Sequence, residues 1–258
     1  MYTVSEHLQT AGAEQLQQLE HKWSISLPQA YVQFMGQYGQ GTYCGIMNVE
    51  YPNREQLREF VDYEIWEHDE HSPITREQLG ECVVIATTID GDFVAVHPAV
   101  ESLIWLPRHS EKVARLNCNG TSWIECMNEW IKEAYGPLDL AEDSHYFEPW
   151  NERKQHLFLM LGAQEQIDAA SDTAAEASGV VNMNLTAICH ECAETMPPDL
   201  IITDEYAGLL FYRRLNGYVR FNYAYGREVA VFYEEEQQGE ESGFLDRLLG
   251  FMHEHGIR

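Results

Sequence analysis

The sequence predicts an α+β protein in two parts: N-terminal helices, an antiparallel or mixed sheet and a closing helix, followed by a second small α+β domain. Three observations carry this. Helix-period apolar spacing dominates the first forty residues. Short β-branched runs separated by turn residues then follow in both halves of the chain. Each meander is followed by an amphipathic segment of helical period.

Glu14 to Lys22 reads as a first helix, with Leu16, Leu19 and Trp23 on one face. Leu27-Pro28 opens a second, because proline at a first turn forfeits only an N–H that has no intrahelical partner. Tyr31, Phe34, Met35 and Tyr38 fall at i, i+3, i+4 and i+7, and Gly39 stands where a left-handed residue ends a helix. Cys44 to Glu50 reads as a strand, Tyr51-Pro52-Asn53 as a break, and Arg54 to Val61 as a helix. Cys82–Thr87 and Phe93–Val96 form a hairpin around Asp90-Gly91, Leu103–Leu106 is a third strand, and Val113–Leu116 is a short extended stretch. Ser122-Trp123-Ile124-Glu125 matches a capping box, and Trp123, Met127, Trp130, Ile131 and Ala134 line one face of the helix it starts. Residues 1–137 are therefore expected as one domain and 138–150, acidic and aromatic, as a linker.

The second domain, 151–258, opens on the apolar run His156–Leu161. An alanine-rich helix is expected over Ala163–Ala177, and Asn184 to Ile188 is a candidate strand. Three strands follow at Leu209–Arg213, Tyr218–Ala224 and Glu228–Tyr233, and a last helix carries Phe244, Leu245, Leu248, Leu249 and Met252. In the second of these strands Val219, Phe221 and Tyr223 alternate with Tyr218, Arg220 and Asn222, one buried face and one wet face.

The chain holds 258 residues, 42 of them Asp or Glu against 16 Lys or Arg, a formal charge of −26. Residues 1–150 carry 8 basic and 24 acidic side chains and residues 151–258 carry 8 and 18, so neither half is a basic module. That field repels nucleic-acid phosphates and anionic membranes, which argues against both as partners; it either favours a basic protein or simply keeps the chain in solution. No apolar run approaches the ~18 residues that span a bilayer, and Met1–Glu6 has no secretory character. A cytoplasmic protein with its six cysteines reduced is the expectation.

Motifs that carry catalysis are missing: there is no Gly-x-x-x-x-Gly-Lys, Gly-x-Gly-x-x-Gly, Gly-x-Ser-x-Gly or His-Glu-x-x-His. No enzyme activity and no cofactor are expected. Cys189-His190-Glu191-Cys192 is the one compact constellation. Cys189, His190 and Cys192 make a weak zinc candidate, with a fourth ligand from His156, His253 or His255, set against plain buried thiols and a redox pair. His68 and His71, beside Glu67, Asp69 and Glu70, are a second metal candidate and more simply surface histidines. The stretch from Asp62 to His71 interleaves carboxylates and aromatics. It reads either as a solvated loop or as a partner surface, with Trp66 as anchor and Asp62, Glu64, Glu67, Asp69 and Glu70 as electrostatic complement.

Glu20, Trp23-Ser24-Ile25-Ser26-Leu27-Pro28, Tyr31, Phe34 and Gly39-x-Gly41 together resemble the opening motif of the SUKH superfamily. The resemblance covers the N-terminal half. The superfamily includes a yeast cell-wall-synthesis regulator, the Syd protein and many bacterial immunity proteins. It implies the same helix–sheet–helix order and a non-catalytic protein-binding function, that of an immunity protein that neutralises a basic cognate toxin, such as a nuclease domain. A regulatory interaction scaffold is the alternative, and an enzyme with an unrecognised site in the second domain is a third.

Overall fold

The computed structural model describes all residues except 119, 121, 138–140, 163–183, 225 and 235–242. The chain divides into two units, Met1–Asn151 and Glu152–Arg258.

In the first unit a two-residue strand β1 (Tyr2–Thr3) precedes helices α1 (Ala13–Trp23) and α2 (Gln29–Gln37). Pro28 sits at the N-cap of α2, and Tyr31, Phe34 and Met35 are buried along one stripe, as their spacing predicts. Gly39 ends the helix in the left-handed region (φ 74°), and a Cβ there would lie 2.1 Å from the Gln9 carbonyl oxygen, so only glycine fits. The expected strand over Cys44–Glu50 is instead a hairpin, β2 (Gly41–Tyr43) and β3 (Met47–Asn53), turning at Cys44 (φ 48°) and Gly45 (φ 68°). Pro52 does not break β3; the pairing with the next strand shifts register there, where proline is tolerated. The expected helix over Arg54–Val61 is reduced to a 3₁₀ turn, Arg58–Asp62.

A short helix α3 (Arg76–Leu79) leads to the meander β4 (Val83–Thr88), β5 (Phe93–His97), β6 (Val100–Leu106) and β7 (Ala114–Leu116). Helix α4 (Trp123–Tyr135) starts in the capping box that the sequence predicts, with Ser122 Oγ accepting from Glu125 N–H and the Glu125 carboxylate accepting from Ser122 N–H. Its buried Trp123 meets Tyr31 edge-on at 5.2 Å, which docks α4 on α2. At its far end Tyr135 Oη donates to Asp92 of the β4–β5 turn.

The expected linker 138–150 needs correction. Tyr146–Pro149 is strand β8, inserted between β1, to which it runs parallel, and β2, to which it runs antiparallel. The sheet order is β1-β8-β2-β3-β4-β5-β6-β7. Phe147 is fully buried and packs edge-on against Phe34 at 5.2 Å, and Tyr43 Oη bonds His145 Nδ1 at 2.8 Å. A strand with two adjacent buried aromatics, paired on both sides in a sheet interior, cannot be a free connector.

The expectation of six reduced cysteines is also corrected. Cys118 and Cys126 form a disulfide that joins the segment after β7 to the first turns of α4. Cys44, Cys82, Cys189 and Cys192 are free and buried. Burial disfavours their thiolates, and Cys44 is pushed up to about 11 and Cys82 to about 12. Thiol titration of the unfolded, unreduced protein should count four thiols, and six would remove the bridge. Replacing Cys118 and Cys126 together by Ser should lower stability by about 2–3 kcal/mol, the chain-entropy value for so short a loop. A denaturant midpoint unmoved by the double replacement would show the bridge to be energetically idle.

The second unit is one antiparallel sheet with helices on one face. Its elements are β9 (Lys154–Met160), α5 (Leu185–Thr195), β10 (Leu200–Thr203), β11 (Ala207–Tyr212), β12 (Gly217–Asn222), β13 (Glu228–Glu234) and α6 (Phe244–Glu254). The order is β10-β11-β12-β13-β9. The candidate strand at Asn184–Ile188 is the start of α5: Asn184 Oδ1 accepts from Ala187 N–H, and Leu185, Ile188, Cys189 and Cys192 then share a buried face. They pack with Val219 and Phe221 of β12 and with Phe244, Leu248 and Met252 of α6. The helix expected over Ala163–Ala177 lies outside the described residues.

Candidate functional site

The acidic stretch of the first unit is the candidate site, and its geometry is a pinned loop. The 3₁₀ turn Arg58–Asp62 delivers the chain to Glu64 in the left-handed region (φ 44°), and α3 takes it up again at Arg76. Between them Trp66 turns inward. It is 5 % exposed, packs against Phe60 and Phe93, and donates from Nε1 to the Pro107 carbonyl at 2.7 Å. This overturns the expectation that Trp66 is a solvent-facing partner anchor: its ring belongs to a core with Leu57, Ile74, Leu79, Val84 and Ile104. The exposed aromatic is Tyr63, three residues earlier and 70 % accessible.

The other five predicted residues, Asp62, Glu64, Glu67, Asp69 and Glu70, are exposed. They are not equivalent. Glu64 holds Arg76 at 2.6 Å. Asp69 is spent on the loop, its Oδ1 accepting from the N–H groups of His71 and Ser72 at 2.8 and 3.1 Å. Asp62, Glu67 and Glu70 remain as outward charge, with Glu70 3.7 Å from the exposed His71 ring. The backbone of Glu67 is fixed, its N–H bonded to the Glu111 carbonyl at 2.7 Å. His68 turns back, Nδ1 lying 3.0 Å from the Ile74 carbonyl, so His68 and His71 do not share a direction.

Two shallow clefts flank the loop and share Ile65 and Glu67 as a common wall. One, about 340 Å³, is bounded by Phe60, Val61, Arg76 and Leu79. The other, about 690 Å³, is bounded by Arg108, His109, Glu111 and Lys112 of the β6–β7 turn. That turn is forty residues away in sequence, and no local pattern joins it to the loop. The combination is a ridge of solvated carboxylates on a rigid backbone with a groove on either side, an arrangement suited to holding a polypeptide surface rather than a small reactant.

A third cavity, about 590 Å³, lies between Leu27-Pro28, residues 97–102 and Leu116–Cys118. His97 Nδ1 accepts from Ala99 N–H, which leaves the proton on Nε2, buried 3.6 Å from a Glu81 carboxylate oxygen. Burial holds this imidazole below its ordinary pKa.

The zinc candidate does not assemble. Cys189 and Cys192 face the core of the second unit, whereas His190 projects from the exposed side of α5. Burial raises both thiols, Cys192 to about 12, and Cys192 Sγ lies 3.8 Å from Tyr212 Oη. His255 pairs with Glu191 at 3.3 Å, away from the thiols. Among the described residues no group of three or more His, Cys, Asp or Glu could hold a metal ion. No described helix is long and apolar enough to cross a membrane.

Residues 10–114 match the model of the SMI1 / KNR4 family (SUKH-1). The matched segment runs from just before α1 to the first residue of β7 and contains the whole acidic loop. No curated protein and no solved structure matches the chain.

Proposed function

We propose that the first unit is a protein-binding module of the immunity type, which captures a basic toxin domain through the ridge at Asp62, Glu67 and Glu70 and blocks it by occupancy. The observation that carries this reading is the placement of a rigid carboxylate ridge within the segment that matches the SUKH-1 family. The charge of −26 supports it, because a basic partner such as a nuclease domain is drawn toward such a field from beyond contact distance. Neutralisation by binding asks for a rigid scaffold and complementary charge and needs no catalytic group.

The test is to take any toxin domain found encoded next to this gene, measure its association with the protein and score growth on co-expression. Growth should be restored, and the association rate should fall steeply with salt, since attraction is screened over a Debye length of ~8 Å at physiological ionic strength. Reversing Asp62, Glu67 and Glu70 to Lys should slow association about tenfold or more while leaving the fold intact. Failure to restore growth, or an on-rate indifferent to the reversals, would overturn the reading.

A further inference from the structure

The edges of the two sheets are protected unequally. The first unit ends in strands of two and three residues, β1 and β7, and the second unit's β10 has four, all short enough to offer little to a neighbour. β9 has seven residues, pairs with β13 without a bulge from Lys154 to Met160, and lies at the sheet edge. It contains no proline, and Phe158 and Met160 are 60 % and 50 % exposed.

The outer side of β9 already takes a strand at one end. Leu161 N–H donates inward to the Arg227 carbonyl, whereas Met160 exchanges bonds outward with Arg258, at 2.7 and 2.9 Å, and Gly162 N–H donates to the Gly256 carbonyl. Strand alternation turns the backbone groups of His156 and Phe158 outward in the same way. Among the described residues no strand pairs with this part of the edge.

We propose that the chain forms a two-fold homodimer by antiparallel pairing of β9 with β9 of a second copy, centred on His156. Three features select a second copy. First, a two-fold axis through an antiparallel pair places one residue opposite its own copy with equal lengths on either side, and 154–158, centred on the outward-facing His156, is such a window. Arg258 blocks any slide toward Met160, and the turn at Glu152–Arg153 lets the other chain leave before it meets that segment. Second, two bodies of charge −26 can approach only through surface free of carboxylates, and residues 153–162 contain none. Third, the register sets Phe158 opposite Lys154 of the second copy, an apolar ring against an aliphatic stem whose ammonium lies over Phe232 of its own chain at 5.6 Å. The second unit would thus present two copies of the first unit's acidic ridge.

Sedimentation equilibrium of the full-length chain across the micromolar range tests this, with two variants. The wild-type chain should be a dimer whose affinity rises with salt, because salt screens the mutual repulsion; a basic partner's capture has the opposite sign, which separates this proposal from the function proposed above. His156→Pro removes an outward N–H that β13 does not use. By symmetry two bonds are lost, each worth several-fold, so the dimer should loosen about tenfold or more with the fold intact by circular dichroism. Phe158→Glu leaves the backbone unchanged and places carboxylates in the seam, so it should give a monomer and serves if the proline variant folds poorly. A wild-type chain that is monomeric throughout, including one that pairs only with a peptide from another protein, would overturn the proposal. So would a dimer that Phe158→Glu leaves unchanged.

Discussion

Trp66→Ala should lower the stability of the first unit by about 3–5 kcal/mol, the range for removing a buried large aromatic side chain. The ring fills the space between Phe60 and Phe93, at 5.9 and 6.3 Å between centroids, and its Nε1 satisfies the Pro107 carbonyl, which the substitution leaves without that donor. The same ring ties the acidic loop to the end of β6. Losing it should therefore loosen Asp62–Glu70 as well as lower the midpoint. Urea unfolding followed by far-UV circular dichroism measures the first effect, and hydrogen exchange at the Glu67 amide, bonded to Glu111, measures the second. An unchanged midpoint would place the indole outside the core. The experiment also separates two roles that a binding assay alone would confuse: a variant that binds poorly because its loop is disordered, and one that lacks a contact. Reversal of Asp62, Glu67 and Glu70 tests contact; Trp66→Ala tests support.

The contrast between Trp66 and its neighbours shows where local pattern informs and where it does not. Asp62 to His71 has no helical or strand period, so nothing nearby in sequence reveals which aromatic turns inward. The core that receives Trp66 is built from Phe93, Ile104 and Leu106, each more than twenty-five residues away. Tyr63, three residues earlier and equally aromatic, is left outside. Helix α2, the Ser122–Glu125 capping box and the Asp90-Gly91 hairpin were legible because the forces that form them act within four residues: an apolar stripe, reciprocal side-chain caps, and a glycine at φ 91°. Helix α5 was legible in principle. Asn184 is a good N-cap, and Leu185, Ile188, Cys189 and Cys192 keep helical spacing. The Cys118–Cys126 bridge depends on a β7–α4 approach that cysteine spacing alone does not disclose.

A fragment ending at residue 137 should fail to fold cooperatively, whereas one ending at Asn151 should fold. The difference is β8, read from sequence as a connector because it is short and Glu148 and Pro149 follow its two aromatics, and because its pairing partners lie more than a hundred residues upstream. Without it β1 has no neighbour, since β8 alone joins β1 to the sheet. The hydrogen bonds lost include Tyr2 N–H to His145 O, Val4 N–H to Phe147 O and Cys44 N–H to Tyr146 O, at 2.7, 2.9 and 2.9 Å. Trp150 Nε1 also releases Thr42 Oγ1. Phe147 leaves a void beside Phe34 and Tyr38, which alone is worth about 3–5 kcal/mol. That loss and the exposed flank of β2 together rival the about 5–15 kcal/mol by which a domain is stable. Gly41 records how close the fit is: a Cβ there would stand 2.5 Å from the Glu148 carbonyl oxygen and from the Phe147 ring. Near-UV circular dichroism and urea unfolding of the two fragments decide the matter. A 1–137 fragment with a cooperative transition at the midpoint of 1–151 would make β8 an accessory and return the domain boundary to Gly136-Pro137.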